Sequence, residues 1–315
     1  MSLTVHVGLA KCASTSLQRF VFPELKKIDR NIEFNDENLT FLSYKCHVTP
    51  LNSSESCLFN KVLNNGKDHI VSSEFLINRD PFQWEESADI NLEMFGKEAN
   101  IVIIIKDTLP YLTSLYLQII QEGRCISEKD FFDSGKALCN RRNELRYFSP
   151  DSFQLEKLHK IYTERFNNVF FVPISQVERL TFIQDIYNIS NSQLFFLQDV
   201  FKNSPRINRS YSALSVKLSL KKEYFFNFFG INSHGVCNAP EQKIKKNSSK
   251  NYYTKPFLSR FNWRYFLQNI LDKIVPYTIF KLQEELNISK QVLKENSIYL
   301  TKIEKSNRFT ASSQK

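Results

Sequence analysis

Residues 3–17 constrain this chain more than any other stretch. Leu3-Thr4-Val5-His6-Val7 is a short apolar strand, Gly8 ends it, Lys11 follows, and Ser14, Thr15 and Ser16 lead into a helical apolar pattern at Leu17, Phe20 and Val21. A strand, a tight loop and a helix N-terminus gather unpaired backbone N–H groups at one spot, and the helix dipole favours an anion there. Lys11 adds a mobile positive charge, and the three hydroxyls add donors. The pattern predicts a phosphate cradle at the head of an α/β fold. The alternative left open by this segment alone is an ordinary helix capped by Ser14 or Thr15.

The loop is not that of a nucleotide triphosphatase, G-x-x-x-x-G-K-[ST], because no Gly-Lys-Ser/Thr follows the glycine. A second segment extends the pattern. Ala99-Asn-Ile-Val-Ile-Ile-Ile105 is a continuous β-branched run, as expected of a strand buried on both faces. Lys106 leaves that strand, and the segment Lys106–Tyr116 opens a helix that ends near Gly123, a suitable C′ residue. Leu112, Leu115, Tyr116, Ile119 and Ile120 form its core-facing side, which leaves Ser114 to point elsewhere. Further strands are predicted near 69–73 and 168–172, with a helix over Phe153–Phe166 between them. The alternation predicts a doubly wound domain with a mainly parallel sheet.

The segment His6-x-Gly8-x-x-Lys11-x-x-Ser14-Thr15-Ser16-Leu17-Gln18 resembles the 5′-phosphosulfate loop of sulfotransferases that use 3′-phosphoadenylyl sulfate (PAPS). Lys106 and Ser114, eight residues apart, resemble that family's 3′-phosphate motif. The family usually carries arginine where Lys106 stands, and lysine meets phosphate as a point charge rather than a fork. Ser72-Ser73-Glu74 after a strand, and Asn208-Arg209-Ser210, resemble bacterial members more loosely, within a likeness spanning about residues 3 to 230. The resemblance implies a P-loop-like fold and sulfuryl transfer from PAPS to a hydroxyl, without a metal. It assigns the nucleotide to Gly8, Lys11, Cys12, Ala13, Ser14, Thr15, Ser16, Lys106, Ser114, Asn208 and Ser210, with Lys11 neutralising charge on the bridging oxygen. It also implies a carbohydrate acceptor, a glycan or glycolipid.

A general base is still needed. Glu74 stands where a strand ends, at the edge where α/β sheets place ligands. His47 is the second candidate, and Glu33 and Asp36 stay open behind it. His6, inside the first strand, reads as a packed core residue. Two rival functions also stay open: a nucleotide kinase with a degenerate loop, whose only metal-holding candidate is Asp107, and a non-catalytic nucleotide- or glycan-binding protein. The segment 123–150, with Phe131, Phe132, Arg141, Arg142 and Arg146, is expected to contribute to an acceptor cleft, and its arginines suit an acidic or already sulfated sugar.

Charge divides the chain. Residues 241–315 hold 15 lysines and arginines against 6 acids, whereas residues 1–240 hold 27 of each. This predicts a boundary near residue 240, with an α/β domain over 1–240, the sulfotransferase domain that the resemblance implies, and a basic, mainly helical extension over 241–315. The extension has helices at about Leu258–Phe280 and Lys281–Lys305, then a disordered polar tail. Its charge suits peripheral contact with anionic lipid or glycan. Specific nucleic-acid binding is disfavoured, because Leu258, Phe261, Tyr265, Phe266, Leu267 and Ile270 fit one apolar helix face. Six cysteines without a C-x-x-C pair fit a reducing compartment. The longest pure apolar run is Ile101–Ile105, and the first strand starts at residue 3, so a cytoplasmic location is expected.

Overall fold

In the computed structural model the described residues are 2–121, 127–132, 139–140, 144–145, 150–205, 212–228, 278–282 and 288–312. Five parallel strands form one sheet: β1 (Leu3–Gly8), β2 (Ile32–Phe34), β3 (Asp68–Ser72), β4 (Asn100–Ile105) and β7 (Asn168–Pro173), in the order β2-β3-β1-β4-β7. Two short pieces, β5 (Cys139–Asn140) and β6 (Glu144–Leu145), pair antiparallel with each other.

β1 is buried along its whole length, and Ile101 to Ile105 of β4 have no exposed surface. Helices cover both faces of such a sheet, which is why its central strands read as unbroken apolar runs rather than alternating ones. β1 pairs with β3 through Leu3↔His69 to His6↔Ser72 and with β4 through Thr4↔Asn100 to Gly8↔Ile103. The β1–β4 register shifts between His6 and Gly8, where β1 leaves the sheet. After β1 the chain goes to the β2 edge, and after β3 it crosses to β4 on the other side. The carboxyl ends of β1 and β4 thus meet at a topological switch point, where sheets of this kind bind ligands.

Local chemistry sets the helix starts. Asp36 caps Glu37–Cys46 by accepting from the N–H groups of Asn38 and Leu39, at 3.0 and 3.1 Å. Asn52 and Glu55 form a capping box for Ser53–Leu63, and Ser190 and Gln193 form one for Asn191–Asn203. Glu33 is held by Lys26 and Lys67 at 2.5 and 2.9 Å. Both carboxylates left open as bases therefore have structural roles. His6 is fully buried with Nδ1 2.7 Å from Ser72 Oγ, and burial lowers its pKa to about 4.

The chain forms two compact units, one of Met1–Tyr111, Phe132–Asn208 and Asn287–Lys315, the other of Leu112–Phe131 and Arg209–Leu286. The sheet of five strands belongs to the first, as does the helix Lys290–Ser312. Buried Asn296 on that helix accepts from Leu155 N–H at 2.9 Å. It donates to Thr108 Oγ1 at 2.9 Å and to the Phe153 carbonyl at 2.6 Å. Gln176 Nε2 donates to the Glu304 carbonyl at 2.9 Å.

The terminal helix differs from the expected span. Residues 281–282 are not helical and the helix continues beyond Lys305 to Ser312, so the first turns of the expected tail are ordered. Thr278–Phe280 is extended, with Ile279 bridging Ser212, rather than the end of a helix. The rest of the Leu258–Phe280 segment lies outside the described residues, as do Arg141, Arg142 and Arg146. In the second unit Tyr116 packs on Phe131 and Phe280 at 5.8 and 5.7 Å between ring centroids. Among the described residues no helix is long and apolar enough to cross a membrane.

Candidate functional site

The loop after β1 is built by backbone conformations that few residues tolerate. Gly8 has φ +128°, and a Cβ there would lie 2.8 Å from Ile77 Cγ2 and 3.8 Å from Glu74 Cα. Glycine is therefore required twice, by its φ and by the close approach of the segment after β3. Lys11 and Ala13 adopt left-handed conformations, with φ 61° and 62°. Leu9 N–H is tied to the Ile104 carbonyl of β4 at 3.1 Å, and the Ala13 carbonyl accepts from Ser16 and Leu17 at 3.0 and 3.2 Å. Among the described residues the backbone N–H groups of Ala10, Cys12 and Ala13 take no partner. Free N–H groups clustered beside left-handed residues form a concavity suited to an anion. The helical stretch from Ser14 through Leu17–Val21 to Ile28 follows without a break, with a π turn in its middle.

The hydroxyls of the loop do not all face one way. Ser14 is buried, and its Oγ lies 3.5 Å from the Leu9 carbonyl, so it closes the loop on itself. Thr15 and Ser16 stay half-exposed. Gln18, one turn on, donates through Nε2 to the carbonyl and hydroxyl of Ser72, both at 3.1 Å, and fastens this helix to β3.

Lys106 follows β4 and Glu74 follows β3, and both reach the field of the loop. The buried Cys12 thiol is pushed up to about 12 by burial, with Lys106 opposing and Glu74 adding to the shift. It stays protonated at neutral pH and has no nucleophilic part. Lys106 is half-buried, and desolvation lowers its pKa. Tyr111 stacks on Phe153 at 4.6 Å and is held protonated by burial, with Arg79 and Glu74 also acting on it. Three strand ends thus bring the Gly8–Ser16 loop, Glu74 and Lys106 to one edge of the first unit.

Asp107 Oδ1 accepts from the adjacent Thr108 N–H at 2.7 Å, and the Asp107 carbonyl accepts from Tyr111 N–H at 2.9 Å. Ser114 is half-buried on the helix Thr108–Gln121, in the part that belongs to the second unit. Asn208 and Ser210 lie outside the described residues.

His47 occupies a separate feature of the first unit, a cleft of about 450 Å³ walled by Glu37–Cys46, Ser53–Leu63, Trp84–Phe95 and the segment after β3. Asn91 sets its state. Asn91 Nδ2 donates to the Leu76 carbonyl at 2.8 Å, so Oδ1 faces His47 Nε2, at 2.9 Å. A carbonyl oxygen only accepts, so Nε2 carries the proton and Nδ1 keeps the lone pair. Burial lowers the His47 pKa, with the Asn91 bond partly opposing, and the ring is neutral at pH 7.

Sequence reasoning overlooked Asn91 and Arg79. Asn91 had a legible signal, a polar residue on the buried stripe Trp84, Ala88 and Phe95. Arg79 had none, since it lies in a loop whose path only the fold defines. No family model matches this chain, and no curated protein matches it.

Proposed function

We propose that this chain is a sulfotransferase that moves the sulfuryl group of PAPS to a hydroxyl of a carbohydrate acceptor. The observation that carries this reading is the convergence, at the ends of β1, β3 and β4, of an anion cradle, a carboxylate and a second cation. The order of the five strands is compatible with a P-loop-like fold.

The residues present suit the nucleotide. The free N–H groups of Ala10, Cys12 and Ala13, with Lys11 and the hydroxyls of Thr15 and Ser16, would hold the 5′-phosphosulfate. Ser14 would instead support the loop from inside. Lys106 would take the 3′-phosphate, where the resemblance adds Ser114. PAPS supplies an activated sulfuryl group with adenosine 3′,5′-bisphosphate as its leaving group. Such a transfer places most of its demand on positioning and charge stabilisation, by analogy with phosphoryl transfer. Lys11 neutralises the charge that grows on the bridging oxygen as the sulfur–oxygen bond to the phosphate breaks. Glu74 accepts the acceptor's hydroxyl proton as the new oxygen–sulfur bond forms.

His47 is a second reading for the base, favoured by the lone pair that Asn91 reserves on Nδ1. The kinase alternative is weakened by the missing Gly-Lys-Ser/Thr and by Asp107, whose carboxylate is engaged by the Thr108 N–H.

Thermal unfolding in the presence of adenosine 3′,5′-bisphosphate or ATP with Mg²⁺ tests the nucleotide. A ligand of the folded state at about a hundred times its Kd adds roughly 2.7 kcal/mol of stability. The bisphosphate alone should raise Tm. A shift with ATP and Mg²⁺ only would overturn the reading.

A further inference from the structure

The cleft beside His47 has a charge and surface that select its occupant, and this inference rests on the sulfotransferase reading. Segment 73–78 is common to the cleft and the phosphate loop. Phe75 and Asn78 line the cleft, while Glu74 and Ile77 face Gly8. A hydroxyl bound in the cleft therefore comes to the same segment that carries the proposed base.

Two properties of the lining bear on the ligand. Its rim presents apolar surface to solvent, with Tyr44 42%, Val48 61% and Phe75 59% exposed, and the rings of Tyr44 and Phe75 meet edge to face at 5.4 Å. Exposed aromatic rings at the mouth of a cavity of this volume fit the apolar face of a sugar or an aryl group. Among the described residues its charged lining groups are the carboxylates Glu86 and Glu93. An anionic ligand entering this cleft would lose hydration and meet like charge, whereas an ammonium group would meet complementary charge.

We propose that the cleft binds an amine-bearing hydroxyl compound with an apolar ring face, an amino-sugar glycoside by class, and rejects anionic sugars. His47 Nδ1 is positioned as a hydrogen-bond acceptor for one of its hydroxyls.

Three p-nitrophenyl glycosides matched in size test this: the 2-amino-2-deoxyglucoside, the glucoside and the glucuronide, titrated calorimetrically against the full chain at a pH that keeps the amine protonated. The amino glycoside should bind at least about tenfold more tightly than the glucuronide, a difference of roughly 1.4 kcal/mol. The gap should narrow in the E86Q/E93Q double variant and at high salt. Equal or tighter binding of the glucuronide overturns the inference, and so does an unchanged gap in the double variant. Adenosine 3′,5′-bisphosphate is titrated in parallel. Its binding without any glycoside binding sinks the cleft assignment alone, whereas glycoside binding without nucleotide binding sinks the sulfotransferase reading and leaves the cleft standing.

Discussion

The Gly8–Ser16 loop, proposed above as the phosphate site, and the cleft lie on either side of one segment, residues 73–78, yet they are built in opposite ways. The loop is local. Nine consecutive residues, Gly8 to Ser16, supply its conformation, free N–H groups and lysine, so its chemistry is written in order along the chain. The cleft is assembled from three helices and a loop spread over residues 44–94, and its key histidine owes its tautomer to Asn91, distant in sequence. The comparison teaches that a backbone concavity suited to an anion can be compact, whereas a cleft with a shaped side-chain lining needs walls from several elements.

The largest effect should separate the two regions cleanly. Lys11→Ala should lower sulfuryl transfer by about a hundredfold to a thousandfold, the cost of losing one preorganised charge contact, on the order of 2.7–4 kcal/mol. Glycoside binding in the cleft and Tm should hold. Steady-state kinetics beside calorimetry measure this, and near-normal turnover would remove Lys11 from the mechanism.

The floor beneath the loop should show itself through pH. His6 is neutral and buried in β1, with its pKa lowered to about 4 from 6.5. Between those values the unfolded chain binds a proton that the folded chain refuses. His6 therefore costs no stability above pH 6.5, and stability falls as pH drops toward 4, by on the order of 3 kcal/mol in all. Denaturant unfolding across this window should show a fall that His6→Gln flattens. An unchanged profile in that variant would mean that other groups govern acid sensitivity.

Glu74 stands on the boundary, so its variant tests whether the two regions share a reacting centre. Glu74→Gln should reduce turnover by about a hundredfold, the lower range for a lost general base, while bisphosphate affinity stays within a few-fold. If His47 is the base instead, Glu74→Gln should leave turnover nearly intact. The rate should then fall on acidification only below the ordinary histidine pKa, because burial depresses that of His47 and the neutral ring is the working form.

The smallest effect concerns Lys106. Lys106→Ala should weaken adenosine 3′,5′-bisphosphate by roughly 1.5–3 kcal/mol, the worth of one hydrogen bond to a charged group, with adenosine 5′-monophosphate little changed. Lys106→Arg should retain or improve the preference through a bidentate contact. Equal loss of both nucleotides in Lys106→Ala would place the lysine elsewhere than the 3′-phosphate.

Much of the first unit's frame was legible in the residues. The apolar runs Leu3–Val7 and Ile101–Ile105 identified the central strands, because a strand covered on both faces needs no polar alternation. Gly8 was legible as a turn, but its second constraint, the approach of Ile77, was not, since it comes from a residue on another strand's exit. β2 was missed because three residues carry too little pattern. Asp36 and Glu33 were plausible bases by type alone, and only their partners revealed a helix cap and an ion-pair hub. The basic end of the chain reads from its charge as a mainly helical extension, but a helix takes its place from the face it buries. Val292, Asn296 and Tyr299 form the buried face of Lys290–Ser312 among the described side chains.

What the sequence determined by itself is the part of the protein governed by neighbours in the chain: the central parallel strands and a glycine loop whose backbone suits an anion. Tertiary structure decided which side chains meet. It turned Ser14 inward, brought Glu74 and Lys106 to the loop, and reserved the His47 Nδ1 lone pair through Asn91. The physical reason is range. Backbone conformation and capping are set within a few residues, whereas the charge, protonation state and walls of a cleft depend on groups that become neighbours only when the sheet has formed.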